Sequence, residues 1–234
     1  MRGSNFEPVS DFQLEAESAA VKPAKMEAVE PGRWSLLCGD CMDVMAAFPD
    51  KHFDLAIVDP PYRDENRPTK DMRASGSMKS LNGRPPKEYW TELRRVSQEQ
   101  IIWGANNFEQ PQWMGFVVWE KLGIPEDFTM SMAEVASLSQ GLATTSKIVR
   151  FAARGQDRIH PTQKPVELYR WLLEKYAKPG QRILDTHLGS GSIAIACHYF
   201  GAHLTACEID RDYFAAAVER IKRETAQTTL FAAA

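Results

Sequence analysis

The chain has 234 residues, of which 44% are hydrophobic and 25% charged, and its net charge is −3. At roughly 150 residues per domain this is one large domain, or one domain carrying an insertion, with enough chain to bury a core. The slight acidity excludes a uniformly basic nucleic-acid coat, and no apolar run approaches the ~18 residues of a membrane span. The N-terminus lacks the charged, apolar, small order of a secretory signal, so a cytoplasmic protein with no membrane partner is expected. Cys38, Cys41, Cys197 and Cys207 are too few for a disulfide framework at this length, and reduced thiols are expected. Cys38 and Cys41 have a metal-like spacing, but Cys197 and Cys207 fall in a separate helix and strand, so no metal site is expected.

In chain order, residues 1–30 show no sustained period and are rich in Ala, Glu, Ser and Pro, which predicts disorder. Met1-Arg2-Gly3-Ser4 reads as an added leader. Phe53–Val58 is a continuous apolar run that predicts a buried strand, stopped by Asp59-Pro60-Pro61. Residues 63–87 are polar and aperiodic, with seven Lys/Arg against three Asp/Glu. A loop of more than about 15 residues inside a compact domain is usually functional. Gln100–Trp103 and Phe116–Trp119 predict further strands. Residues 105–140 carry one basic and five acidic residues, and 147–164 five basic and one acidic. Pro165–Ala177, Ser192–Phe200 and Asp212–Glu224 predict helices, the last with Phe214, Val218 and Ile221 on one face. Arg182–Asp185 and His203–Cys207 predict strands between them. Strands alternating with helices imply an α/β domain over 31–225 with a largely parallel sheet covered on both faces, followed by a flexible tail at 226–234.

Three segments carry chemistry. Asp59-Pro60-Pro61-Tyr62 closes a buried strand, at the edge where open parallel sheets bind ligands. The prolines stiffen the turn, and a carboxylate, the Pro60 carbonyl and an aromatic face together suit a flat ring bearing an amine. Asp185-Thr186-His187-Leu188-Gly189-Ser190-Gly191-Ser192 joins a strand to a helix, so its backbone can approach a ligand closely near free N–H groups. Glu208, 17 residues beyond Gly191, stands at the next strand end, where a carboxylate can hold two ribose hydroxyls. His160-Pro161-Thr162-Gln163-Lys164-Pro165 immediately precedes a helix.

In this combination and order the segments resemble the permuted, β group of DNA amino-methyltransferases that use S-adenosylmethionine. The resemblance runs from about Trp34 to Arg223. It implies a Rossmann-like methyltransferase fold, a central, mostly parallel twisted sheet with helices on both faces, with target-recognition insertions near 63–87 and 108–153. It implies catalysis at Asp59, Pro60, Pro61 and Tyr62, with Asp59 also a cofactor contact. It implies cofactor contacts from the loop residues Asp185, His187, Gly189, Ser190 and Gly191, and from Glu208 with Ile209 at the ribose. His160, Thr162 and Lys164 would line the methionine end, and Asp40 with Cys41 would lie near the adenine. His187 departs from the family, which usually places Phe or another apolar residue there.

The activity this implies is methyl transfer to the N6 amine of an adenine flipped out of double-stranded DNA. Cytosine N4 on the same scaffold, amino methylation of RNA or a protein amide, and a non-catalytic DNA- or clamp-binding module remain as alternatives. Phosphate contacts are expected from Arg63, Arg67, Lys70, Arg73, Lys79 and Arg84, and from Lys147, Arg150, Arg154 and Arg158. A homodimer is expected from the resemblance. Gln227-Thr228-Thr229-Leu230-Phe231 resembles the short peptide with which bacterial proteins dock on the replication sliding clamp, and such a contact is a further expectation.

Overall fold

The structure is a computed structural model that describes residues 26–27, 34–62, 65–66, 81–111, 113–127, 131–142, 144–153 and 158–226. Its strands are β1 (Met26–Glu27), β2 (Trp34–Cys38), β3 (Phe53–Val58), β4 (Glu65–Asn66), β5 (Leu81–Asn82), β6 (Ser97–Trp103), β7 (Gly115–Leu122), β8 (Ala133–Leu138), β9 (Lys147–Ala152), β10 (Arg182–Asp185) and β11 (His203–Glu208). Its α-helices are α1 (Cys41–Ala46), α2 (Lys87–Val96), α3 (Val166–Tyr176), α4 (Ser192–Phe200) and α5 (Arg211–Thr225). Nine strands form one sheet in the order β1-β2-β11-β10-β3-β6-β8-β7-β9, and β4 pairs with β5 separately. From β2 to β6 the pairing is parallel throughout. β8 lies antiparallel between β6 and β7, and β9 returns parallel to β7.

The apolar runs become central strands because helices cover both of their faces. Leu55 and Ile57 of β3 point into one core with Ile101, Trp103, Trp119, Leu168, Leu172 and Ile221. Ala56 and Val58 point the other way, against Met45 of α1 and Tyr89, Trp90 and Leu93 of α2. Helix starts follow local chemistry. Asp40 caps α1, accepting from the Met42 N–H at 2.8 Å, and Asp210 caps α5, accepting from Asp212 and Tyr213 at 2.9 and 3.1 Å. Pro86 and Pro165 precede α2 and α3, where fixed φ favours helix entry. From β10 the chain winds toward β11, and from β3 toward β6, so the winding reverses between β10 and β3. In such sheets the crevice beyond the strands' carboxyl ends at that reversal is the ligand site.

Several elements differ from expectation. The aperiodic segment ends one residue earlier than expected, because Lys87 begins α2, whose buried face is Tyr89, Trp90, Leu93 and Val96. The basic segment beginning at Lys147 opens as β9, held by pairing to β7 rather than by local pattern. β2, α1 and β8 also lacked a clear sequence signal. Within the N-terminal segment expected to be disordered, Met26 and Glu27 pair antiparallel with Leu37 and Leu36. Residues 1–25, 28–30 and the tail from Gln227 onward, with its clamp-like peptide, lie outside the described residues. Among the described residues no helix is long and apolar enough to cross a membrane, and no cluster of His, Cys, Asp or Glu could hold a metal.

Gly191, at the start of α4, has φ +75°, and a Cβ there would sit 2.7 Å from Ile221 Cδ1 on α5. The glycine therefore permits both the left-handed turn and the α4–α5 contact. Gly191→Ala is expected to lower unfolding free energy by about 1–2 kcal/mol from the backbone cost alone. Adding Ile221→Val removes Cδ1 but keeps Cγ1, 2.9 Å from the added Cβ, so it should recover only part of the steric cost and none of the backbone cost, as read by urea denaturation.

Candidate active site

A cavity of about 650 Å³ opens at the carboxyl edge of β2, β3, β10 and β11. Asp40, Cys41, Asp59, Pro60, Pro61, Tyr62, His160, Thr162, Lys164, His187, Gly189, Ser190, Glu208 and Ile209 all line it. The turns that follow four neighbouring parallel strands thus bring together segments far apart in the chain. Asp185 and Gly191 stand behind the wall. Asp185 is buried under the loop, its Oδ1 accepting the His187 N–H at 2.9 Å, and Gly191 faces α5.

Glu208, at the end of β11, anchors the Gly-rich loop. Its Oε2 accepts the Gly189 N–H at 3.0 Å and its Oε1 the Asp210 N–H at 3.0 Å. Burial raises this carboxyl above the usual range, and the two backbone donors oppose that rise. A carboxylate offers about four acceptor positions, so two further hydroxyls can be held. Gly189 has φ +52°, and a Cβ there would approach His160 Nδ1 at 3.4 Å, so the bare backbone leaves the cavity floor open. Arg220, buried on α5, donates to the Ser190 carbonyl and to Ser192 Oγ, both at 2.9 Å, and Ser192 donates to the Lys164 carbonyl at 2.7 Å. One guanidinium therefore ties the Gly-rich loop to the His160–Pro165 segment. A deep polar-floored cleft with a held carboxylate and a glycine cradle fits a nucleoside-bearing cofactor.

The two histidines are kept neutral. Burial holds His160 down at about 4, with the Lys164 and Arg158 charges adding to the effect, and its Nδ1 accepts the Thr162 N–H at 3.3 Å. Burial likewise holds His187 at about 4. The His187 ring meets Tyr89 edge-on at 5.7 Å, and its Nδ1 lies 2.9 Å from Thr186 Oγ1, which is also 2.6 Å from the Tyr89 hydroxyl. Where the family usually has an apolar side chain, a neutral imidazole thus packs on an aromatic ring and shares a hydroxyl. Burial raises the Asp185 carboxyl to about 8.

The β3 corner is more charged than the sequence suggested. The Lys164 ammonium, only 2% exposed, donates to Asp59 Oδ2 and to Glu134 Oε2, the latter at 2.9 Å, and stands 5.3 Å over the Trp103 ring. Glu134 Oε1 is held by Lys121 at 2.5 Å. The Tyr62 hydroxyl donates to Asp59 Oδ1 at 2.6 Å and reaches Glu134 Oε2 at 3.3 Å. The Tyr62 ring rests against Gly104, where a Cβ would fall 2.0 Å from its Cε1. Burial pushes the Asp59 carboxyl up, an effect that Lys164 opposes and Glu134 reinforces. Burial also acts to raise Glu134, but the two lysines outweigh it and hold that carboxyl at about 2. Lys164, assigned by resemblance to the methionine end of the cofactor, is therefore engaged with the Asp59 carboxylate. Glu134, Lys121 and Arg220 were not anticipated. The signal for Glu134 was a lone carboxylate within Ala133-Glu134-Val135-Ala136, a residue type that an apolar strand carries at a cost unless it is paired.

Of the residues expected to meet phosphates, Arg63, Arg67, Lys70, Arg73, Lys79 and Arg154 lie outside the described residues. Arg84 is exposed and lines the cavity. Lys147 and Arg150 lie on β9, where Arg150 pairs with Glu120 at 2.9 Å. Arg158 donates to the Pro161 carbonyl. It shapes the His160 turn rather than standing apart from it.

Residues 51–219 match the family model N6_N4_Mtase, described as DNA methylase. The chain belongs to this DNA methylase family, whose methyl donor is S-adenosylmethionine. It is 26% identical over 200 residues to YubD of Escherichia coli (strain K12), a protein named as a methylase, covering 78% of this chain and 88% of that one. Among solved structures, the complex of M1.HpyAVI with S-adenosylmethionine aligns with TM-score 0.53 at 16% identity, covering 80% of this chain and 99% of that one. The cytosine-N4-specific PvuII DNA methyltransferase aligns with TM-score 0.57 at 10% identity, covering 82% and 91%. At these identities the structural likeness establishes the fold, a Rossmann-like methyltransferase sheet.

A histidine whose folded pKa lies below its unfolded value stabilises the fold above about 6.5, and that stability is lost as pH falls toward the folded value. For His187 the window runs from 6.5 down to about 4. His187→Phe, which cannot charge, should therefore lose less unfolding free energy than the parent between pH 7 and pH 4.5 in paired urea titrations.

Proposed function

We propose that this protein is a site-specific DNA methyltransferase that moves a methyl group from S-adenosylmethionine to the N6 amine of an adenine flipped out of the duplex. The observation that carries this reading is that one cavity contains both the Asp59-Pro60-Pro61-Tyr62 corner and the Glu208 carboxylate. When bound, S-adenosylmethionine supplies an electrophilic sulfonium methyl. Glu208 holds the ribose hydroxyls, Asp40 and Ile209 border the adenine, and His160 and Thr162 border the methionine end. Asp185, Gly191 and Arg220 keep the loop in place from behind.

The acceptor is the harder partner, because the amine's lone pair is delocalised into the ring. Hydrogen bonds from its two N–H groups to Asp59 and the Pro60 carbonyl favour a tetrahedral nitrogen and stabilise the positive charge that develops there. Holding the amine in line lowers the barrier further. Transfer leaves the nitrogen with one proton too many, and Asp59 is positioned to accept it. Tyr62 bonds to Asp59 Oδ1. An arriving amine takes over that acceptor while the freed ring stacks on the base. Arg84 at the cavity mouth and the basic residues of 63–87 meet the phosphates of the DNA. Asp at the first motif position supports adenine, since the family this chain resembles pairs Asp mostly with adenine and Ser mostly with cytosine.

Expression in cells lacking adenine methylation, with modified bases mapped by single-molecule sequencing, should show N6-methyladenine at a fixed short sequence. N4-methylcytosine would reassign the base, and cofactor binding without any modification would favour a binding module. Asp59→Ala should keep cofactor affinity and lose at least about 100-fold in transfer rate, whereas Glu208→Ala should weaken cofactor binding first.

A further inference from the structure

Glu134 is a largely buried carboxylate lining the site that has no place in the chemistry described so far. It lies on β8, the strand that runs against the direction of the rest of this part of the sheet, and it comes from the segment between β7 and β9 rather than from any of the three motifs. Its side chain is 19% exposed and carries three polar contacts, to Lys121, Lys164 and Tyr62. Two of those three partners also bond to Asp59, one to each carboxylate oxygen.

We propose that Glu134 is a positioning residue for methyl transfer: by sharing the Lys164 ammonium with Asp59, it keeps the Asp59 carboxylate available to the target amine. The inference rests on the methyltransferase reading above. A buried lysine facing a single carboxylate places its whole attraction on that partner and lowers its proton affinity, whereas a second carboxylate divides the attraction. Here Lys164 has donors directed at two carboxylates and its remaining side over Trp103. The row Lys121, Glu134, Lys164, Asp59 holds two positive and two negative groups, so neither lysine is left uncompensated. Glu134 also gives the Tyr62 hydroxyl a second acceptor, at 3.3 Å, onto which it can move when the amine claims Asp59 Oδ1.

Asp59 is faced by Tyr62 from its own corner, Lys164 from the turn before α3, Tyr169 from α3, Asp185 from β10 and Glu134 from β8, with Lys121 of β7 behind. Taking one negative charge from this set lowers the pKa of Asp59 and strengthens its hold on Lys164. Glu134→Gln, close to isosteric, is therefore expected to lower kcat roughly tenfold and leave cofactor affinity unchanged. The acid limb of its kcat–pH profile should move to lower pH. Glu134→Asp restores the charge and should return the limb toward its original position. Lys121→Gln removes a positive charge from the far end of the row and should move the limb to higher pH.

The assay uses tritiated S-adenosylmethionine with genomic DNA from cells lacking amino methylation, with calorimetry of cofactor binding alongside. Opposite limb movements in Glu134→Gln and Lys121→Gln support the assignment. An unchanged kcat, or a lower kcat with an unmoved limb, would overturn it, since a purely structural role changes rate without changing titration. If Glu134→Gln does not fold, the direction of the Lys121→Gln shift decides. Should Asp59→Ala still methylate DNA, the underlying reading fails instead, and that outcome is distinct from an inactive Asp59→Ala with an unmoved limb.

Discussion

A single buried ammonium organises the β3 corner of this protein. Lys164 bonds to Asp59 and Glu134 at once and lies over Trp103. An ammonium removed from water is strongly destabilising unless opposite charge and hydrogen bonds replace its hydration. The chain meets that requirement with carboxylates from two different parts of the sheet. Asp59 ends β3, Glu134 lies on β8, and Lys164 comes from the turn before α3, so the three can meet only when the sheet, the antiparallel insertion and the helix layer are all assembled. The site and the fold are in this sense one condition.

The Glu208 side of the cavity is built on different physics. Around Glu208 backbone N–H groups and glycines predominate: Gly189 and Asp210 donate to the carboxylate, and the left-handed Gly189 leaves the floor bare. Fixed backbone dipoles cost little to reorganise, which suits the cofactor-binding role proposed for this surface. The β3 corner, with its charged row and a tyrosine hydroxyl lying between two carboxylates, is the more polarisable half. Arg220 links the halves from behind through Ser190, Ser192 and the Lys164 carbonyl.

The antiparallel excursion from β7 to β8 would be incidental in a purely parallel nucleotide-binding sheet. Here it extends the sheet beyond β6 and delivers Glu134 and Lys121 to the β3 corner. The same region holds the segment from which recognition of the target was expected. On the proposed reading, the electrostatics of the β3 corner come from the antiparallel part of the sheet rather than from the parallel core alone.

The sequence by itself determined the parallel core, the order of the motifs and the family. Phe53–Val58, Arg182–Asp185 and Ser192–Phe200 are found at the boundaries that their patterns predict. Continuous apolar runs and Gly-Pro punctuation are local properties, and they survive folding because nothing tertiary opposes them. The tertiary structure alone decided that Lys164 turns to Asp59, that Arg158 closes its own turn, that Gly191 faces α5, and that Glu134 joins the corner. Each of those depends on which strand lies beside which, and hence on the β6-β8-β7-β9 order and the α4–α5 packing. Glu134 and Asp59 are 75 residues apart in the chain, and no local period records a contact made across an antiparallel strand.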